Sequence, residues 1–286
     1  MHIDPATAAT PETAAGAEPA TLFFDVDGTL VWYPDGLPVE EAKRARPAPA
    51  VYDAFRRLRA NGHAPFICTG RSYGMVTPQL LELDTAGIVC GAGTTVVIDG
   101  EVVYDVCIEP DVLEQTVNKL VELGCDLIFE ANEQAVLLLG SGAQDNADWH
   151  GFPVVHSFDD MRAVVPSLTY TKFCYTDDQL PKLQQAMDFF MQHYDICDLG
   201  IGKGEMTIKG VNKGTGIAHA LKALGRTVKN SYGFGDSEND LAMLAAVETP
   251  VAMGNALPQV KECCAYVTDS VQDDGTVTAL EHFGLI

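Results

Sequence analysis

The sequence has no apolar run approaching the ~18 consecutive residues that a membrane-spanning helix requires; its longer ones, such as Ala135 to Leu139, are of strand length. Positive charge is scarce too, with 18 Lys and Arg against 40 Asp and Glu, a formal net charge of −22. That balance excludes long-range attraction to nucleic acid or an anionic membrane surface. A phosphorylated ligand must then be held locally, by a metal ion, one or two cationic side chains and oriented backbone amides. The eight cysteines show no CxxC spacing, and several lie in apolar strand-like runs. This is the pattern of free buried thiols in a reducing, cytoplasmic setting, not of a disulfide framework or a zinc site. Residues Met1 to Ala20 hold neither Lys nor Arg and no apolar stretch, so they lack the marks of a signal peptide and read as a disordered tail. No internal repeat is apparent.

What is present is a core-forming composition, 47% hydrophobic and 20% charged over 286 residues, enough for two modest domains. From Thr21 the chain alternates strand and helix. Leu22 to Val26 is a buried-strand run closed by Asp27-Gly28-Thr29; Pro49 to Ala60 has helical spacing and stops at Asn61-Gly62; Ala64 to Cys68 and Gly87 to Cys90 are two more strands. Such alternation predicts an α/β fold with a parallel sheet. Thr94 to Ile98 and Glu101 to Val106, joined by Asp99-Gly100, read as a β-hairpin. Helices (Val112 to Leu123, Gln179 to His193) then mix with strands (Leu127 to Glu130, Ala135 to Leu139, Thr169 to Tyr175) in a separate α+β unit. The earlier rhythm returns with Thr215 to Leu224 as helix, Ser231 to Gly235 as strand, Leu241 to Ala246 as helix and Thr249 to Met253 as strand.

Four segments carry chemically capable residues, three of them at strand ends. Asp25 and Asp27 close the first strand, where α/β sheets place their ligands; paired carboxylates invite a cation, and a carboxylate can attack phosphorus. A polar turn accounts for the same residues, whereas an EF-hand does not, since its glycine stands at position 6 after a helix. Thr69-Gly70-Arg71 closes the second strand with a hydroxyl, a glycine and a guanidinium, which suit phosphate oxygens and equally suit an ordinary turn. Lys213 precedes a helix as a point charge or a plain surface lysine. In Gly235-Asp236-Ser237-Glu238-Asn239-Asp240 the pair Ser237 and Asp240 spells a capping box, which leaves Asp236 and Asn239 unexplained.

In this order these segments resemble the haloacid dehalogenase-like phosphohydrolases, and within them the Cof-type, subfamily IIB branch. Val251-Ala252-Met253-Gly254-Asn255-Ala256, Ala265-Tyr266-Val267-Thr268 and Asp273-Asp274-Gly275 extend the likeness to the end of the chain. The resemblance implies a Rossmann-like parallel-sheet core, residues 21–106 and 204–286, with an α+β type C2 cap, residues 107–203, inserted between Thr69 and Lys213. Far more residues separate those two than a βαβ crossover needs, whereas Lys213 and Asp236 stand little more than one helix apart. The resemblance further implies a Mg²⁺-dependent phosphatase. Asp25 would be nucleophile and ligand, Asp27 general acid/base and main-chain ligand, Asp236 the third ligand and Asp240 the support of that metal cluster. Thr69, Gly70, Lys213 and Asn239 would hold the phosphoryl group of a small phosphorylated metabolite, a sugar phosphate foremost. A phosphomutase or a phospholigand-binding regulator on the same fold are the alternatives. Two departures stand out: the Asn-Gly-Ala segment of many relatives is Cys90-Gly91-Ala92 here, and the stretch from Val31 to Pro49, with Trp32 and Tyr33, exceeds the usual short flap. Glu130, Asn132 and Glu133 are polar candidates for substrate selection.

Overall fold

The computed structural model describes residues 18–32, 34, 41, 44–142, 151–200 and 202–286. The expected tail, apart from residues 18–20, lies outside the described residues, as does Tyr33.

The first sheet is built on Thr21–Phe24 (β1), Ala64–Cys68 (β2), Gly87–Cys90 (β3), Thr95–Ile98 (β4), Glu101–Asp105 (β5), Ser231–Gly235 (β12), Thr249–Ala252 (β13) and Tyr266–Val267 (β14). Its order is β14-β13-β12-β1-β2-β3-β4-β5. Pairing is parallel from β14 to β3 and antiparallel from β3 to β5. The four residues of β1 are all buried, because helices cover both faces of a parallel sheet and the strand must be apolar throughout. On one face Phe24 stacks on Phe234 at 4.4 Å and meets Phe55 at 4.9 Å, Phe55 coming from Pro49–Ala60 (α1). On the other, Phe23 and Phe66 pack with Ile217 and Met243, from Lys213–Ala223 (α5) and Leu241–Ala245 (α6). Asp99 and Gly100 turn the β4–β5 hairpin with φ of 49° and 82°, the left-handed pair that an Asp-Gly turn supplies.

A second sheet comprises Asp126–Ala131 (β6), Ala135–Leu139 (β7), Val154–Val155 (β8), Tyr170–Thr176 (β9), Tyr194–Gly200 (β10) and Lys203–Ile208 (β11), in the order β10-β11-β9-β6-β7-β8. Helices Pro110–Glu122 (α2), Phe158–Val164 (α3) and Met187–His193 (α4) cover one face. Leu113, Val117, Phe158, Met161 and Phe190 interlock there with Phe129, Phe173 and Met206. The boundary expected at residue 203 is corrected: β11 begins at Lys203 and pairs with β9 as far as Thr207, so the second sheet runs on to Ile208. The helix expected from Gln179 to His193 is divided as well. Leu180–Leu183 forms one turn with Pro181 in its first positions, and the backbone leaves helical values at Ala186 (φ −130°, ψ 25°) before α4 begins.

His63 ties the start of this fold to its end. The Ala20 amide donates to Nδ1 of its buried ring at 2.9 Å, and burial, reinforced by the Arg226 guanidinium, pushes the His63 pKa below the usual 6.5. The folded chain therefore resists a proton that the unfolded chain accepts, so this stabilisation is whole above pH ~6.5 and declines below it. Urea unfolding from pH 7.5 to 5.5 should show wild type losing up to ~1.4 kcal/mol per pH unit relative to His63→Gln; parallel profiles would refute the assignment.

Candidate active site

The C-terminal ends of β12, β1 and β2 lie side by side in the parallel sheet. Asp25 follows β1 directly, its amide donating to Phe234 at 2.9 Å, and its side chain is buried. The turn after it depends on Gly28, which has φ +88° and carries Asp236 against the place a Cβ would occupy. Only glycine fits. Residues late in the chain brace this turn: Asn255 Nδ2 donates to the Gly28 carbonyl at 2.8 Å and Thr276 Oγ1 to that of Thr29 at 3.0 Å.

Lys213 opens α5. Asn212 caps the helix by accepting from the Thr215 amide, and in return the Asn212 amide donates to Thr215 Oγ1. A lysine in a first helical turn opposes the helix dipole, and here the carboxylates offset that cost. Lys213 Nζ, 1% exposed, lies 2.5 Å from Asp25 Oδ1 and 2.6 Å from Asp240 Oδ1. The other Asp240 oxygen accepts the amides of Asp236 (2.9 Å) and Ser237 (3.1 Å). Asp240 thus serves both the capping box read from the sequence and the lysine.

Carboxylate oxygens of Asp25, Asp236 and Asp240 lie within 4.8 Å of one another. Burial, then Asp240, pushes the Asp25 carboxyl well above its usual range, with Lys213 opposing. The same two causes lift Asp236 to about 7. For Lys213 burial works against the charge, and Asp240 and Asp25 outweigh it, holding the ammonium well above its ordinary pKa.

The haloacid dehalogenase-like hydrolase profile matches residues 22–280. The chain belongs to this family. It is 26% identical over 265 residues to YkrA of Bacillus subtilis (strain 168), covering 93% of this chain and 98% of that protein. To the pyridoxal phosphate phosphatase YbhA of Escherichia coli (strain K12) it is 28% identical over 270 residues, 84% of this chain and 89% of that one. The solved structure of BT4131, a HAD subclass IIB sugar phosphatase, superposes with a TM-score of 0.75 at 25% identity, over 93% of this chain and 100% of that one.

The hydrolase brings the sequence candidates together unevenly. Thr69 is buried and accepts from the Arg71 amide at 3.2 Å, Gly70 faces Asn239 Nδ2, and Ser237 Oγ donates to Asn239 Oδ1 at 2.7 Å. Asp27 stands beside the three clustered carboxylates; its own carboxylate takes a forked pair of bonds from Arg71, Nη2 at 2.6 Å and Nε at 3.1 Å. Asn132 bonds Asp105 and Thr95, and Glu133 accepts from Ser167 and Thr169, so both fasten turns. Glu130 takes the Ser72 amide at 3.0 Å and neighbours Lys172, which with Glu205 sequence reasoning missed: each is a single charge inside a strand, without a motif around it.

Lys213→Met should leave Asp25 and Asp240 buried without their cation and lower stability by about 3–5 kcal/mol. Chemical denaturation at neutral pH measures this directly; a loss under ~1 kcal/mol would show that the lysine does not hold the cluster.

Proposed function

We propose that this hydrolase is a Mg²⁺-dependent phosphatase that removes phosphate from small monoesters, sugar phosphates foremost, through a phosphoryl group carried on Asp25. One observation carries the reading: a buried carboxylate at a strand end, held on a lysine and crowded by two further carboxylates.

The residues fit a divalent cation. With all three acids ionised, Asp25, Asp236 and Asp240 against Lys213 leave a surplus of two negative charges, and burial makes that surplus costly, as the lifted Asp236 pKa records. All donors are hard oxygens, which suits Mg²⁺. The carboxylates of Asp25 and Asp236 and the main chain of Asp27 would hold the ion, and Asp240, both of whose oxygens are engaged, would support them. Bound there, the ion would offset the charge of the phosphate oxygens.

The chain's own residues do the rest. Asp25 attacks phosphorus, with its free oxygen aimed by the bond that Lys213 makes to the other. Asp27 gives a proton to the departing alkoxide and then takes one from the water that hydrolyses the acyl phosphate. Thr69, Gly70, Lys213 and Asn239 hold the equatorial oxygens, Gly70 because a side chain there would crowd them. Arg71 fixes the Asp27 carboxylate at the pocket edge. The inserted segment, carried to Ile208, acts as a cap that excludes water.

Magnesium-dependent phosphate release from a panel of sugar phosphates, nucleotides and pyridoxal phosphate tests the reading. Chelation should abolish release and added Mg²⁺ restore it, and Asp25→Asn should lower kcat by about three orders of magnitude or more with the fold retained. Full activity in Asp25→Asn would sink the nucleophile, and conversion of one ester to its isomer without phosphate release would favour a mutase.

A further inference from the structure

The face of the second sheet that turns away from its helices carries charge where a core would be apolar. Since Phe129, Phe173 and Met206 enter the helix-covered core, their strand neighbours Glu130, Lys172 and Glu205 fall on the opposite face. Glu130 on β6 pairs across from Lys172 on β9, and Lys172 lies diagonal to Glu205 on β11, whose direct partner is Cys174. Lys172 Nζ is 2.7 Å from Glu205 Oε2 and 3.4 Å from Glu130 Oε1. Glu130, Lys172 and Glu205 are 9%, 4% and 2% exposed. Burial works against the Lys172 charge, but Cys174 and the two glutamates outweigh it. Apolar residues of similar volume would fold at least as well, so stability does not explain the trio.

Its position does. A Cβ on Gly70 would lie 3.6 Å from Asn239 Nδ2, 3.7 Å from Glu205 Oε2 and 3.8 Å from Lys172 Nζ, so the ion pair roofs the phosphoryl pocket. From there a cavity of about 270 Å³ opens, walled by Asp195, Glu205, Asn212, Lys213, Glu238 and Asn239. This falls just short of the ~300–1,000 Å³ of drug-sized sites, room for a group of about one ring. Ala92, Ile196, Val211, Leu241 and Ala242 make much of the wall apolar, its acids are Asp195, Glu205 and Glu238, and its one cation, Lys213, already directs two of its three donors to Asp25 and Asp240. Glu205 accepts its one hydrogen bond on Oε2; among the described residues none reaches Oε1. Glu205 lines the cavity, and this oxygen, unbonded among the described residues, is open to a donor from a ligand.

We infer that Glu205, held in place by Lys172 and Glu130, reads the leaving group of the substrate: it accepts hydroxyl or ammonium donors and turns away leaving groups that carry a second anion. The inference rests on the phosphatase reading and adds a selection rule to it. The attraction is one hydrogen bond from the substrate to Oε1; the rejection is like-charge repulsion, chiefly from the buried Glu205, with the exposed Asp195 and Glu238 adding less.

Glucosamine 6-phosphate, glucose 6-phosphate and 6-phosphogluconate share a carbon chain and differ in leaving-group charge, and p-nitrophenyl phosphate lacks hydroxyl donors. With Mg²⁺, wild type should favour the amino sugar over 6-phosphogluconate by at least about tenfold in kcat/KM, mostly through KM, with glucose 6-phosphate between. Glu205→Gln should shrink that ratio to within about threefold. A ratio is unaffected by the fraction of enzyme that folds, so a merely structural role would lower all rates and leave it unchanged. An unchanged ratio in Glu205→Gln, equal wild-type rates on the three sugar esters, or turnover of p-nitrophenyl phosphate alone would overturn the inference while the phosphatase reading stands. Absence of release from every ester would overturn both.

Discussion

Everything at the pocket depends on the Lys213 ammonium. It is buried between two carboxylates that belong to different strand ends, Asp25 after β1 and Asp240 after β12, and without it three acids would meet in a low-dielectric space with nothing to offset their repulsion. Its placement is in turn a packing problem. The turn Gly91-Ala92-Gly93 runs through left-handed conformations (φ 58°, 55° and 101°) and brings Gly93 so close to the Asn212 carbonyl that no side chain fits between them. At Gly216 a Cβ would meet Val89 and Gly93, so α5 lies close against β3. The segment that departs from the Asn-Gly-Ala of many relatives is therefore the seat of the helix that delivers Lys213.

The two sheets solve the burial problem differently, and the difference positions the chemistry. The first is apolar on both faces, so its polar groups are confined to the strand ends and converge there. The second packs its helices on one face only, and its other face presents Glu130, Lys172 and Glu205 near Gly70 beside the buried apolar Ala135, Leu137 and Leu139 of β7. A pocket thus forms between an edge where strands end and a face where side chains alternate. Its floor and roof are fixed by separate cores.

The strand ends of the first sheet were legible because apolar runs stop abruptly at acids, a hydroxyl or a glycine, and because helix signals such as Pro49 and Asn61-Gly62 agree with the alternation. The second sheet was half legible. β6, β7 and β9 are rich in aromatic and branched residues, whereas β10 and β11 hold Asp195, Asp198, Lys203, Gly204 and Glu205, which read as loop and led the domain boundary to fall at residue 203. Two of the residues that mask these strands, Asp195 and Glu205, line the cavity, and there local sequence signals give way to the demands of the pocket. The Arg71–Asp27 fork lay beyond the sequence for another reason: the two residues come from separate strand ends, and only their tertiary meeting shows that the guanidinium engages a side chain.

A net charge of −22 on a protein proposed to take an anion is consistent with this division of labour. At physiological ionic strength exposed charges are screened beyond ~8 Å, so the acidic exterior repels a phosphate ester only weakly until it reaches the pocket mouth. Inside, the buried charges are screened far less. On the proposed reading Lys213, a divalent cation and the opening of α5 would draw the phosphoryl end, while Glu205 would meet the other end of the same molecule. An ester with one anionic end and one donor-rich end fits both halves of this field. One anionic at both ends would fit only the first, so on this reading the acidity that limits general anion binding would also orient the ligand that does enter.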